Sequence, residues 1–417
     1  MTKTEVIEAA FKAWGREFYL NTSLSQVARE LEVSKPALYR HFINKQALLD
    51  AMTGYFFSDF ADFIRADYEK ALKTGDSSQS IFIIIRIVAE YYARNANIFI
   101  FLMIKLQNRK LDEFNVAKEL RNRGIELEKL YEPVKADYNF QPLGARLLNA
   151  TLIFFIADFH KKGKTLTNPP SEAAIERLID AIGEIIGSGL CYSHEEIAAL
   201  NYEELENRIT GMANSAGNDP LLKAVAGAVA EAGPWQASME QVAHRSGLSK
   251  SSLYCHFKNK QDMLHQLFVT EFTRILDFAR QGIRQSAVPQ EQAVPTEQLY
   301  LGIFSIVEYL RSKPDILVAM DWIRNRGISL KPPEEIPESK AEFLRLFEKI
   351  DIKLLRDDKN PFEGGGGGGL WLTPWILFLI ITTLMQKNTG HKVKNVPNSD
   401  IRFLYRLITL GIGGFKL

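Results

Sequence analysis

One thirteen-residue block occurs twice in this chain. Residues 34–46 read SKPALYRHFINKQ and residues 249–261 read SKSSLYCHFKNKQ, identical at nine of thirteen positions with an offset of 215. The same offset pairs Ser23-Leu24-Ser25-Gln26-Val27-Ala28 with Ser238-Met239-Glu240-Gln241-Val242-Ala243. At a slightly larger offset, Glu90-Tyr91 recurs as Glu308-Tyr309, and Asn108-Arg109 recurs as Asn325-Arg326. Chance similarity between helical segments does not keep register over such distances. The chain is therefore a tandem duplication of a unit of roughly 190–210 residues.

Bulk properties limit what each unit can be. The 417 residues exceed one ordinary domain, and 46% hydrophobic with 24% charged residues argues against wholesale disorder. The formal net charge is only +1, so any nucleic-acid site must be a local basic cluster. Two cysteines, Cys191 and Cys255, are too few and too far apart for a disulfide framework or a zinc site, which fits a reducing compartment. The N-terminal run MTKTEVIEAAFKAW carries charges throughout and lacks the apolar core of a signal peptide. The expectation is a cytoplasmic protein.

Strand-like alternation bounded by Asn-Gly turns is absent, so the fold class expected is all-α. Leu24, Val27, Ala28 and Leu31 fall at helical spacing. Ser23 with Gln26 forms a capping-box pattern, repeated by Ser238 with Gln241. A brief turn follows each short helix (Glu32-Val33; Gly247-Leu248), and Ser34 or Ser249 then caps a second one. That is a helix-turn-helix layout.

Helical geometry of about 100° per residue puts Leu38 and Phe42 on one face of the second short helix, and Leu253 and Phe257 likewise. These are the core anchors. The opposite face centres on Arg40 with Pro36 and Ala37, or on Cys255 with Ser251 and Ser252. Tyr39 and His41, and their counterparts Tyr254 and His256, flank it. In a major groove the centre of such a face meets base edges and its flanks meet the phosphate walls. Arg40 suits a bidentate contact to guanine; Tyr and His suit phosphates. Asn44-Lys45 and Asn259-Lys260 open the next helix, where a cap, a cation and backbone amides suit a further phosphate. Ser34–Lys45 and Ser249–Lys260 each hold three cations and no acid. Gln26, Lys35, Gln241 and Lys250 complete the expected contact set.

Both blocks resemble the signature of the tetracycline-repressor family: a capped helix ending in VA, then SK-x-x-LY-x-HF-x-NK-x, then a long helix. The likeness covers about fifty residues at the start of each half, on top of a shared helical character beyond them. It implies a DNA-binding head, a variable ligand-binding body, and two C-terminal helices that pair protomers in a four-helix bundle. Glu32 departs from glycine at a turn position, and Cys255 is unusual on a reading face. The division expected is 1–50 and 219–265 for the two helix-turn-helix heads, 51–190 and 266–417 for the bodies, and 191–218 for a connector. Within the connector, an acidic helix is expected around His194–Thr210, followed by a loose stretch at 214–218. Asp219-Pro220 then starts the second copy as an N-cap followed by proline.

Because family members of this kind bind palindromes as homodimers, the duplication implies an intrachain pseudodimer reading an asymmetric operator in double-stranded DNA. One half-site would hold a guanine for Arg40 and a thymine methyl for Ala37; the serine- and cysteine-bearing head would read more weakly. Leu370–Met385 is almost wholly apolar, but a membrane span needs about 20 such residues. Its counterpart is roughly 143–159, and both fall where the family places its pairing helices, so a buried bundle helix is the expectation. The glycine run Gly364–Gly369 has no counterpart in the first copy and shows no phosphate-binding pattern.

The bodies hold apolar segments at 81–88, 98–106, 299–309 and 316–323. Core packing explains them. As effector-pocket lining, Phe99, Met103 and Phe154 in the first half, or Phe304, Trp322 and Trp375 in the second, point to a hydrophobic small molecule; Asn108-Arg109 and Asn325-Arg326 read as helix-end surface pairs ahead of contacts to its polar end. The expectation is a repressor whose DNA affinity an effector changes by population shift; whether it releases or promotes binding is not in the sequence. No catalytic constellation, metal spacing or nucleotide loop stands out, so no enzyme activity and no cofactor are expected. Oxidation of Cys255 on the reading face would weaken binding. The rival class is a membrane-associated or protein-interaction protein that keeps the fold without DNA binding.

Overall fold

The computed structural model describes residues 2–16, 24–74, 77–107, 116–130, 142–163, 165–166, 168–190, 192–210, 212, 219–285, 295–325, 372–385 and 396–415. Ser23, Cys191, 214–218, Asn108-Arg109, Arg326 and Gly364–Gly369 lie outside the described residues, as do the side chains of Trp322 and Asn325. Every regular element among the described residues is a helix.

The first unit runs α1 (Lys3–Arg16), α2 (Leu24–Glu30), α3 (Lys35–Tyr39), α4 (Lys45–Thr74), α5 (Ser77–Arg94), α6 (Ala96–Gln107), α7 (Val116–Arg121), α8 (Pro142–Gly163) and α9 (Glu172–Ser188). Two short connector helices follow, α10 (His194–Ala198) and α11 (Tyr202–Ile209). The second unit repeats the order with α12 (Pro220–Gln236), α13 (Met239–Ser246), α14 (Lys250–His256), α15 (Lys260–Ile283), α16 (Pro295–Ser312), α17 (Pro314–Asn325), α18 (Leu372–Leu384) and α19 (Asn398–Leu410), closed by a 3₁₀ turn at Ile412–Phe415. Packing repeats with it. Helix α1 lies on α6 as α12 lies on α17, and α4 lies on α5 as α15 lies on α16.

Among its described residues the connector holds two helices, where the sequence predicts one around His194–Thr210. Asn201 interrupts it, its side chain accepting from the Glu204 amide at 3.4 Å to cap α11 afresh. Asp219 caps α12 as expected, accepting from the Leu221 and Leu222 amides at 2.9 and 3.2 Å, with Pro220 at the first helical position.

Helices α8 and α9 of the first unit pack against α18 and α19 of the second. Helix α9 buries Ile175, Leu178, Ile179, Ile182, Ile185 and Ile186, a stripe at three- and four-residue spacing. Helix α19 answers with Ile401, Leu404, Tyr405 and Ile408. The apolar helix α18 is buried on nearly every side, and Trp375 Nε1 donates across to Thr151 Oγ1 at 3.2 Å on α8. Among the described residues, Pro142–Lys161 is long and apolar enough to cross a membrane; in this fold it forms most of α8 and packs against α18. At the far end of the seam the Leu190 and Tyr192 amides donate to the Ile408 and Thr409 carbonyls, at 2.9 and 3.2 Å.

Candidate nucleic-acid interface

Local capping builds each head. Ser34 Oγ accepts from the Ala37 amide at 3.4 Å, and Ser249 Oγ accepts from the Ser252 amide at 3.0 Å. The second head forms the full capping box: Ser238 Oγ accepts from the Gln241 amide while Gln241 Oε1 accepts from the Ser238 amide, at 3.2 and 2.8 Å. Asn44 and Asn259 cap α4 and α15, accepting from the Ala47 and Asp262 amides at 2.8 and 2.9 Å.

The turn between the two short helices is left-handed in both heads. Gly247 adopts φ 70° and Glu32 adopts φ 54°. The backbone bonds are equivalent, Val33 donating to Ala28 and Leu248 to Ala243. Glu32 therefore bears a Cβ clash that glycine lacks, worth roughly 1–2 kcal/mol before glycine's own entropic cost. Glu32→Gly is expected to stabilise the first head by about 0.5–1 kcal/mol. A higher urea midpoint with an unchanged slope would show it; a lower midpoint would mean the Glu32 side chain holds the turn.

The anchors are where helical phase puts them. Leu38, Phe42, Leu253 and Phe257 are buried. Outward, Lys35, Pro36, Tyr39 and Arg40 are exposed, and Ala37 and His41 are half-buried. In the second head Lys250, Ser251, Ser252, Tyr254, Cys255 and His256 are all exposed. The two tyrosines are 42% and 48% exposed, far more than large aromatic rings that serve a core. Lys35, Pro36, Tyr39 and Arg40 border one shallow open depression. Lys45 and Lys260 occupy matching half-buried positions, where burial lowers the pKa of each. Gln26 is half-buried; Gln241 is exposed, with its side-chain oxygen engaged in the capping box.

The heads differ in ways that motif reading missed. Glu240 pairs with Lys250, and the hydrogen bond and charge of that lysine hold the Glu240 carboxyl below its usual range. Asp262 Oδ2 accepts from the Lys258 amide at 2.8 Å, which lowers the Asp262 pKa. At the offset of 215 the first head has Ser25 and Ala47 at these two positions, so the signal was present in the repeat. Lys35 instead lies 6.0 Å from the centroid of the Tyr39 ring.

The residues expected to line a pocket in each half have these neighbours. Phe99 is buried between Tyr92 and His160, and Phe304 is stacked on Tyr300. Met103 is partly buried against the core. Phe154 and Trp375 lie at the seam between the units, beside Phe378 and Phe155 respectively. The Trp322 side chain lies outside the described residues. Cys255 is a free, exposed thiol whose Sγ faces the Ser251 carbonyl at 3.6 Å.

Two short helices joined by a left-handed turn, the second of them capped by serine, followed by a long helix, appear near the start of each unit. They define an all-α protein with two helix-turn-helix heads. Residues 6–52 and 221–267 each match the domain described as "Bacterial regulatory proteins, tetR family". The chain thus carries two tetR-type regulatory-protein domains in tandem, one at the start of each unit. Among curated proteins it is similar to the uncharacterized HTH-type transcriptional regulator YuxN of Bacillus subtilis (strain 168), with 38% identity over 52 residues. That match covers 12% of this chain and 18% of YuxN. It is also similar to the fatty acid metabolism regulator protein of the same organism, 26% identical over 72 residues, covering 17% of this chain and 37% of that protein. The likeness thus spans well under half the length of either relative.

Proposed function

We propose that this chain is a DNA-binding transcriptional regulator whose two heads read unlike half-sites of one asymmetric operator. The observation that carries this reading is the pattern of sameness and difference on the two exposed faces. Tyr39 and Tyr254, His41 and His256, and Lys45 and Lys260 are retained on the flanks, where phosphates are met. The centre changes from Pro36, Ala37 and Arg40 to Ser251, Ser252 and Cys255. Contacts to phosphate position a protein without reading sequence, whereas central contacts to base edges carry the sequence preference.

The seam formed by α8, α9, α18 and α19 supports an intrachain pseudodimer, because it joins the C-terminal helices of both units in one apolar core. Repression relieved by a hydrophobic small molecule is the regulatory mode we favour. The bodies are rich in aromatic and aliphatic side chains, and a ligand that prefers wrongly spaced heads lowers DNA affinity by population shift.

Selection of bound duplexes from a random pool, followed by sequencing, tests the reading. The expected result is two unlike half-sites about one helical turn apart, with a guanine in the half-site of the Arg40 head. A strict palindrome would overturn the pseudodimer, since it requires the same head from two chains. No enrichment at low salt would overturn the regulator reading and favour an interaction protein that keeps the fold.

A further inference from the structure

The two heads carry similar numbers of cations but deploy them differently. In the second head Glu240, at the start of α13, reaches the Lys250 ammonium at the start of α14. Both groups are more than half exposed, so they sit on the surface that faces solvent or DNA. Asp262, in the first turn of α15, takes the Lys258 amide at 2.8 Å and a Gln266 Nε2 donor at 3.1 Å. The amides at and just before the start of a long helix can cradle a phosphate, and the Lys258 amide lies one residue before the Asn259 cap of α15. The first turn of α4 contains no acid, and Ala47 offers no carboxylate to the Ile43 amide. Ser25 likewise offers none to Lys35.

We propose that Glu240 and Asp262 set the second head's grip on the DNA backbone below the first head's, by occupying a lysine and a helix-start amide that would otherwise take phosphates. The proposal rests on the DNA-binding reading above and adds a mechanism to it: the weaker head is weak through its own carboxylates as well as through its base-facing residues. Each phosphate contact contributes about 0.9 to the slope of log affinity against log salt. A head with two occupied phosphate sites is therefore both weaker and less salt-sensitive.

The test uses the full chain and a fluorescein-labelled mixed-sequence duplex of about 30 base pairs, long enough for two half-sites. Anisotropy is followed from about 50 to about 200 mM salt. E240S/D262A, which installs the first head's residues, is expected to bind about tenfold tighter at low salt, with a slope steeper by about 1–2. E240Q/D262N removes the charges while keeping the hydrogen-bonding shape, and guards against a lost helix cap; it should move in the same direction. S25E/A47D should weaken binding and flatten the slope. If the unmodified chain binds but none of the variants changes affinity or slope, the proposal is overturned while the DNA-binding reading stands. If neither the unmodified chain nor any variant binds at low salt, the DNA-binding reading itself falls.

Discussion

Gly189→Val is expected to destabilise the protein by about 3–5 kcal/mol and to open the seam between the two units. Gly189 ends α9 at φ 58° and ψ −137°, a region that only glycine enters without strain. A Cβ there would lie 2.5 Å from the Gly411 nitrogen and 2.6 Å from the Ile408 carbonyl oxygen, both of them backbone atoms. Gly411 ends α19 at φ 60°, and its own Cβ would meet the Gly187 carbonyl carbon and oxygen at 2.6 Å. The two helix ends thus cross backbone against backbone. The Leu190 and Tyr192 amides can reach the Ile408 and Thr409 carbonyls only at that approach. Hydrogen exchange is the sensitive readout: protection at Leu190 and Tyr192, just past the end of α9, should collapse before α9 itself loses any. A methyl group added at Gly183 on the same helix would meet nothing within 4 Å, so Gly183→Ala should be neutral or stabilise by up to about 1 kcal/mol. Equal behaviour of the two variants would contradict the close crossing.

Glu206→Gln is the second large effect. Glu206 on connector helix α11 is buried and accepts from Tyr300 at 2.6 Å, from Asn398 at 2.8 Å, and from Arg402 through two bonds of 2.7 and 2.9 Å. Burial alone raises its pKa, but the hydrogen bonds from Arg402, Tyr300 and Asn398 outweigh that and hold it below the ordinary carboxylate range. Removing one partner of a buried pair costs about 3–5 kcal/mol; because Arg402 is a third exposed, about 2–4 kcal/mol is expected here. The loss should appear as faster exchange over residues 202–209. A depressed folded-state pKa means that the unfolded chain takes up its proton first as the medium is acidified. The stabilisation is therefore complete above the ordinary glutamate value of about 4.3 and is lost as pH falls through the lower folded value. The unmodified protein should lose connector protection on acidification through that window, and Glu206→Gln should lack this step. A parallel acid response in both proteins would assign the step to other carboxylates.

The heads were legible in the sequence because what builds them is local. Ser34, Ser249, Asn44 and Asn259 each accept from an amide three residues on, and the Ser238–Gln241 box closes over the same span. Helical phase alone separated Leu38 and Phe42 from Tyr39 and Arg40. The repeat established the duplication, and it also held the Ser25/Glu240 and Ala47/Asp262 differences; only the structure showed that those carboxylates reach Lys250 and the Lys258 amide.

What the tertiary structure decided lies at long range. Glu206 meets partners 94, 192 and 196 residues away; helical phase puts it on the Tyr202, Leu205 and Ile209 face, but nothing local names the groups it meets there. Gly189 and Gly411 look like ordinary helix-ending glycines until two helix ends 222 positions apart are brought into contact. Phe99, Phe304 and Trp375 read first as core and second as pocket in the sequence, because an apolar side chain has the same composition signal in either place. Their neighbours come only from packing, which sets Phe99 against His160, Phe304 against Tyr300, and Trp375 across the seam on Thr151.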